Sequence, residues 1–171
     1  MQIVSSYIRN LAIEAFRKEF KVARRLAMVA RIKKQDANLP KFEDEGSTPQ
    51  RNKRFIGLKA IPTDHIMGTV GRDGDFDLNF RPLKKHLRER WVNAFVLVKT
   101  QPWSPIRAYK KGSRFFIEDG HHRVSVAHHL GMDFIDAEVW EYPEKEDKTQ
   151  SSNPLPPALR FSTVQMSSNR C

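Results

Sequence analysis

Five consecutive residues, Asp119-Gly120-His121-His122-Arg123, carry side chains suited to binding an anion or acting on one. They follow the apolar residues 115–117 and precede a helical pattern that starts at Val124, so they occupy a turn from a strand into a helix. The first amides of a helix lack carbonyl partners and carry the positive end of its dipole. Because Arg123 adds a guanidinium that can bind a phosphate with two hydrogen bonds, the sequence predicts a phosphate site here.

Two interpretations of this turn remain open. In the functional one, the residues from Gly120 to Arg123 bind a phosphate, His122 donates to its oxygen, and Asp119 orients a histidine or binds Mg²⁺. In the structural one, Asp119 only caps the turn and the histidines bond to the backbone. An irregular loop at 68–77 has three glycines and three aspartates, and one of its carboxylates, with Asp75 as our candidate, is a potential general base.

The histidines near the turn do not predict a metal site. His122 and His129 are seven residues apart and share a helix face, but they lie roughly 10 Å apart along it. That separation is too large for one ion with ligand bonds of about 2 Å. We therefore expect no metal held by protein ligands alone, while Mg²⁺ held jointly by a nucleotide and an aspartate remains open.

The surrounding chain, residues 55–142, predicts a compact α+β domain. The pattern indicates a strand ending at Pro62, a one-turn helix at 64–67 and a helix from Pro82 to Trp91. Residues 95–98 either extend that helix or form a strand. A hairpin turn at 110–113, a helix closed by Gly131 and a last strand at 134–142 complete the expected elements.

Residues 1–34 predict one long basic helix in front of this domain. Residues 1–60 hold +8 of the net charge of +10, which favours an anionic partner, although a solvated basic surface is an equal alternative. We expect these positive charges to contact nucleic acid, with DNA as the candidate partner. The residues expected to make the contact are Arg17, Lys21, Arg24 and Arg25. The apolar seam of the helix needs its own domain, a second copy in a homodimer or, less favourably, a membrane surface as partner. Its members are Val4, Ile8, Leu11, Ala15, Val22, Leu26 and Val29.

The remaining segments predict a linker at 35–54 and a disordered tail at 143–171, because both are polar and lack periodicity. No apolar run approaches the roughly 20 residues of a membrane span, and no secretory signal is expected. The single cysteine, Cys171, cannot form an internal disulfide. These features predict a cytoplasmic protein.

The order of strand, hairpin, strand, turn, helix and strand resembles the ParB/sulfiredoxin-like superfamily over about residues 55–142. The most specific part of the resemblance is Phe116-Ile117-Glu118-Asp119-Gly120-His121-His122-Arg123, with Gly131 and the closing strand. Ile61-Pro62-Thr63-Asp64-His65-Ile66 resembles the first conserved box of that superfamily. The resemblance implies a small mixed sheet with flanking helices and a nucleotide bound at the turn.

The branches of that superfamily imply different activities. Sulfiredoxins have a reactive cysteine where His121 stands, so redox activity is not expected. Partition ParB proteins bind CTP and continue into a helix-turn-helix reader, which is not predicted here. The sequence is thus interpreted as a nucleotide-binding module, regulatory or DNA-associated, that binds ATP, ADP or CTP with or without Mg²⁺. Gly71 and Arg72 are expected to join the phosphate site. The alternative is a small-molecule kinase or nucleotide hydrolase that resembles the free-serine kinases, with Asp119, His122 and Asp75 as catalytic residues.

Overall fold

The protein is described by a computed structural model that covers residues 2–42 and 53–142. Within these ranges the chain forms three α-helices and one five-stranded sheet. Two single turns of 3-10 helix, Thr63–His65 and Lys85–Leu87, precede β2 and α2. The elements in chain order are α1 (Gln2–Ile32), β1 (Arg54–Pro62), β2 (Ile66–Thr69), α2 (Arg88–Val98), β3 (Ile106–Lys111), β4 (Arg114–Asp119), α3 (His121–Leu130) and β5 (Phe134–Glu141).

The sheet is mixed and has the strand order β1-β5-β3-β4-β2. The β1–β5 and β3–β4 pairs are antiparallel, whereas the β5–β3 and β4–β2 pairs are parallel. The hairpin of β3 and β4 turns at Gly112 and Ser113, as the sequence predicted, and the parallel pairs need the helical crossovers. The predicted α+β class, with a mixed sheet and a long N-terminal helix, is confirmed.

All three helices belong to one hydrophobic core on one face of the sheet. Strand side chains alternate between the two faces, so Ala108 and Ile117 point to the helices, whereas Tyr109 and Phe116 lie in a second cluster on the other face. Trp91 of α2 is fully buried at the centre of the helical layer, and its indole N–H donates to Ser125 Oγ of α3 at 2.8 Å. This bond fixes α2 beside the start of α3, where the candidate site lies.

The structure buries only part of the seam predicted for α1: Ile8 and Ala15 pack against the core at the margin of the buried stripe, whereas Leu11 is exposed. The fully buried side chains are Ala12, Phe16 and Ala23, whereas Leu26 and Val29 of the predicted seam are nearly half exposed. The buried stripe is shifted by one residue, or about 100°, round the helix. The reason is the partner: Phe16 meets the edge of the Trp91 ring, with ring centroids 5.8 Å apart. Burial of this aromatic pair favours packing of α1 through the Phe16 side.

The helix predicted to begin at Pro82 begins later. Leu83 N–H donates to the Asp75 carbonyl at 2.9 Å, and an isolated bridge pairs Phe76 with Pro82. These contacts hold the chain extended as far as Lys84, so α2 starts at Arg88 after the 3-10 turn. Of the two alternatives for residues 95–98, the structure has the helical extension.

Two further predictions differ from the structure around the start of the polar loop. The one-turn helix occurs one residue early, as a 3-10 turn at Thr63–His65, and Gly68 and Thr69 belong to β2 and not to the loop. They become a strand because β2 pairs in parallel with β4 on one side and Thr69 N–H donates to the Pro40 carbonyl on the other. This pairing brings the loop beside the turn from β4 into α3.

The described parts of the predicted linker, residues 35–42 and 53–54, belong to the domain: Arg54 is the first residue of β1, and residues 35–42 pack against the sheet. Leu39 and Phe42 are buried, and the Phe42 ring contacts Tyr109, Phe116 and Tyr142 on the second face of the sheet. Residues 43–52 and the predicted disordered tail at 143–171 lie outside the described residues.

Candidate functional site

The turn between β4 and α3 forms one wall of a cavity of about 430 Å³. Gly120 makes the turn in the left-handed region, with φ of 101°, and its carbonyl accepts from Val124 N–H at 3.0 Å. Because α3 starts at His121, the amides of its first turn have no carbonyl partner within the helix. The residues from Asp119 to Arg123 all line the cavity. The predicted strand–turn–helix is thus present, with its helix N-terminus at a cavity.

The guanidinium group of Arg123 donates hydrogen bonds to acceptors within the protein. Its Nη1 donates to the Ser104 carbonyl at 2.5 Å, to Ser104 Oγ at 3.0 Å and to the Pro105 carbonyl at 3.1 Å. Its Nη2 donates to Asp119 Oδ2 at 2.7 Å. Arg123 therefore ties the start of α3 to the segment before β3, and Asp119 orients an arginine where the sequence suggested a histidine. The charge of Arg123 still adds to the potential of the cavity, although its Nη1 and Nη2 groups already donate to protein acceptors.

Thr69, at the end of β2, links the polar loop to α3. Its Oγ accepts from Gly71 N–H at 3.1 Å and from Arg72 N–H at 3.0 Å, and it lies 2.7 Å from His121 Nε2. The Thr69 hydroxyl also lies 3.4 Å from the Ile117 carbonyl, so its proton has two acceptors in reach and the contact with Nε2 does not fix the tautomer of His121. The backbone amides of Gly71 and Arg72, the two loop residues predicted to join the phosphate site, thus bond to Thr69.

His121 and His122 are both neutral rings at neutral pH. Burial, followed by the positive charge of Arg72, lowers the pKa of His121 to about 4. Burial, followed by the charges of Arg72 and Arg90, lowers the pKa of His122 to about 4 as well. Both ring nitrogens of His122 are buried and have no hydrogen-bond partner among the described residues, and the His122 ring packs edge-on against the Phe76 ring with centroids 5.5 Å apart. His122 would need to turn before it could donate to a ligand.

The lowered histidine pKa values predict that the fold loses stability in mild acid. Below the ordinary histidine pKa of 6.5, the unfolded chain binds protons that the folded chain does not bind until about pH 4. The free energy of unfolding therefore has its full value above about pH 7. It falls as the pH drops, by up to about 1.4 kcal/mol per pH unit for each histidine. Urea denaturation between about pH 7.5 and about pH 5 measures this slope. His121→Gln should have a shallower slope, and an unchanged slope would contradict the assignment.

Two arginines complete the positive side of the cavity. Arg72, from the polar loop, is paired with Asp75 at 3.3 Å and keeps nearly half of its side chain exposed. Arg90, on α2, has no ion-pair or hydrogen-bond partner among the described residues. Within the described part of the chain, Arg90 is therefore a cation of the cavity wall without a counterion. The sequence analysis placed residue 90 within a predicted helix but did not assign Arg90 to the site.

The α2 wall has a periodicity that was visible in the sequence. Arg90, Asn93, Ala94 and Leu97 all line the cavity, at the i, i+3, i+4 and i+7 positions of one helix face. What the sequence could not show was that this face lies beside the start of α3.

The aspartates of the polar loop serve mainly as structural partners. Asp75 accepts from Lys84 Nζ at 2.8 Å and from Arg72 Nη1 at 3.3 Å. Burial alone would raise the pKa of Asp75, but the bonds and charges of Lys84 and Arg72 outweigh it and lower that pKa. Asp77 is buried and accepts the amides of Asn79 and Arg81, while Asp73 pairs with Lys41. A carboxylate held as an anion by two cations is a weak general base.

The predicted nucleic-acid residues lie elsewhere. Arg17, Lys21, Arg24 and Arg25 are exposed on α1, and none of them lines the cavity at α3. Within residues 2–42 and 53–142, no three or more His, Cys, Asp or Glu side chains are grouped to hold a metal ion. No helix in the same ranges has the length and apolar composition to cross a membrane.

Comparison with known protein families, curated protein sequences and solved structures gives no significant match for this chain. The geometry above therefore carries the functional argument by itself.

Proposed function

We propose that the chain is a nucleotide-binding module of the ParB/sulfiredoxin-like kind, with the phosphates of the ligand in the cavity at the start of α3. The observation that carries the proposal is the convergence of three positive features on one cavity. These are the first-turn amides of α3, which have no partner within the helix, Arg72, and Arg90, which has no ion-pair partner in the described ranges. Helix N-termini and arginines are the groups that proteins use most often to bind phosphate.

The charge balance of the site supports an anionic ligand. Asp119 is neutralised by Arg123, and Asp75 is neutralised jointly by Lys84 and Arg72. With these pairs formed, Arg90 remains without a counterion among the described residues, at a cavity of the size of ordinary ligand pockets. A bound phosphate would supply that counterion.

The less polar end of the cavity suits the nucleoside. Ala94 and Leu97 line it from α2, and Asn93 offers an amide that can both donate and accept. Among the described residues, the only rings that line the cavity are those of His121 and His122 at the turn. We therefore expect the base to pack on aliphatic side chains and the affinity to come mainly from the phosphates.

A binding role fits the site better than turnover. The alternative, a small-molecule kinase or nucleotide hydrolase, requires Asp75 as a base and His122 as a donor. In the structure Asp75 is held by two cations and the ring nitrogens of His122 are buried. Both groups would have to leave these positions for catalysis, whereas binding needs no such change. We accordingly favour a regulatory module that nucleotide binding controls.

The proposal is tested by replacing the unpaired arginine. In a thermal-shift and calorimetric screen with ATP, ADP, CTP and GTP, with and without Mg²⁺, at least one nucleotide should raise the Tm of the wild type. Arg90→Ala should lower the affinity for that nucleotide by about 10- to 100-fold, since a charge-assisted hydrogen bond contributes about 1.5–3 kcal/mol.

Arg88→Ala is the matched control, because Arg88 is exposed on the same helix, is paired with Glu89 and does not line the cavity. The affinity of Arg88→Ala for the nucleotide should equal that of the wild type. Equal losses in the two variants, or no nucleotide that raises the Tm, would contradict the proposal.

A further inference from the structure

A second concave surface lies between the second half of α1 and the segment that precedes α2, and we call it the basic groove. Its volume is about 800 Å³, which is larger than the cavity at α3. Phe20 and Met28 of α1 and Leu83 of the opposite segment contribute its apolar part, and Met28 is about two-thirds exposed. Exposed methionine is typical of grooves that accept apolar side chains of a partner.

Every charged side chain that lines the basic groove is a cation. These side chains are Lys21, Arg24, Arg25 and Arg31. Within residues 2–42 and 53–142, none of the four has an ion-pair partner, whereas Arg9 of the same helix pairs with Glu89. The groove therefore combines an apolar lining with four positive charges that have no counterions among the described residues.

We propose that the basic groove docks an amphipathic helix of a partner protein, with an apolar stripe bordered by acidic side chains. From Phe20 to Arg31 the groove runs along about 16 Å of α1, which matches about three turns of a second helix. Leucine-like side chains of the partner would contact Phe20, Met28 and Leu83. Its carboxylates would meet the four cations, as in helix-in-groove recognition.

Charge complementarity selects this occupant over a second copy of the chain. Two basic grooves facing each other would bring eight like charges together, and like-charge contacts across an interface cost several kcal/mol. Nucleic acid would satisfy the cations, but its phosphates make no use of the apolar lining. A base could stack on Phe20, yet the Arg24 guanidinium already lies 5.8 Å from the centroid of that ring. The apolar lining is the feature that distinguishes a protein helix from a nucleic acid here.

The test uses two fluorescent peptides of one composition and a DNA duplex. The first peptide places leucines at i, i+4 and i+7 and glutamates on both sides, and the second has the same residues in scrambled order. Fluorescence anisotropy with the full chain should show tighter binding of the first peptide. Arg24→Glu should weaken it by about tenfold or more, and Met28→Ser by severalfold, since each removes a contact of about 1 kcal/mol or more.

The control variant is Lys18→Glu, an exposed cation of α1 that does not line the basic groove. It should leave binding of the first peptide nearly unchanged. The substituted side chains are exposed, and circular dichroism with a Tm measurement checks that each variant folds.

Three outcomes would overturn the proposal. The first is equal binding of the two peptides, or binding of neither. The second is an equal loss in Lys18→Glu and Arg24→Glu, because a diffuse charge effect would then explain the binding. The third is tight binding of the DNA duplex alone, lost in Arg24→Glu and retained in Met28→Ser, which would assign the surface to nucleic acid.

Discussion

Replacing Gly120 with alanine should destabilise the fold by about 2–5 kcal/mol, the sum of about 1–2 for the left-handed backbone and about 1–3 for overpacking. The backbone of Gly120 has φ of 101°, which L side chains rarely adopt. A Cβ there would also approach the Ile106 side chain of β3 so closely that one of them must shift. Urea denaturation of the wild type and the variant measures the difference in the free energy of unfolding.

Gly131 provides the matched control at the other end of α3. It also has a positive φ, of 65°, but a Cβ built there meets no atom within 4 Å. Gly131→Ala should therefore carry the backbone term alone, about 1–2 kcal/mol. Equal losses in the two variants would mean that Ile106 yields without strain and that close packing does not fix the turn. Because Gly120 lines the cavity, Gly120→Ala should also weaken nucleotide binding, whereas Gly131→Ala should not.

The second large effect is expected at Phe16, which decides how α1 joins the domain. Phe16 is almost fully buried and contacts the rings of Trp91 and Phe20. Phe16→Ala should lower the free energy of unfolding by about 3–5 kcal/mol, because it removes a large apolar side chain and leaves a cavity. Should that variant fail to fold, Phe16→Leu keeps most of the volume and is expected to lose only about 1–2 kcal/mol.

Leu26→Ala is the control, since Leu26 belongs to the seam that the sequence favoured. Leu26 is 47 % exposed, so its substitution should change the stability by no more than about 0.5 kcal/mol. A larger loss in Leu26→Ala than in Phe16→Ala would show that α1 packs through its aliphatic stripe and that the described arrangement of α1 is wrong.

The local elements of the site could be predicted because short-range signals define them. A continuous apolar strand, the Asp119-Gly120 turn and the change to a helical period act within about ten residues, and the structure has each of them, with α3 starting at His121 and not at Val124. The same holds for the hairpin before β4 and for the Gly131 helix end. Each depends on backbone preferences and alternation that neighbouring residues alone determine.

The composition of the site depended on contacts between distant residues. Arg90 reaches the cavity because α2 packs beside α3 through Trp91 and Ser125, a contact between residues 34 positions apart in the chain. Asp75 loses its role as a candidate base through Lys84, and the Gly71 amide bonds to Thr69. No residue pattern in the chain signals these partners, since polar side chains choose among many acceptors once the elements are assembled.

For this protein, the sequence by itself determined the strand–turn–helix at Gly120, the α+β class and a long basic helix in front of it. The tertiary structure alone decided which stripe of α1 is buried, where α2 begins and which cation of the cavity is unpaired. The physical reason is the sequence separation over which each interaction acts. Backbone preference and periodicity act between residues that are neighbours in the chain. The choice between two apolar stripes, or between salt-bridge partners, depends on which surfaces the assembled sheet and helices bring together.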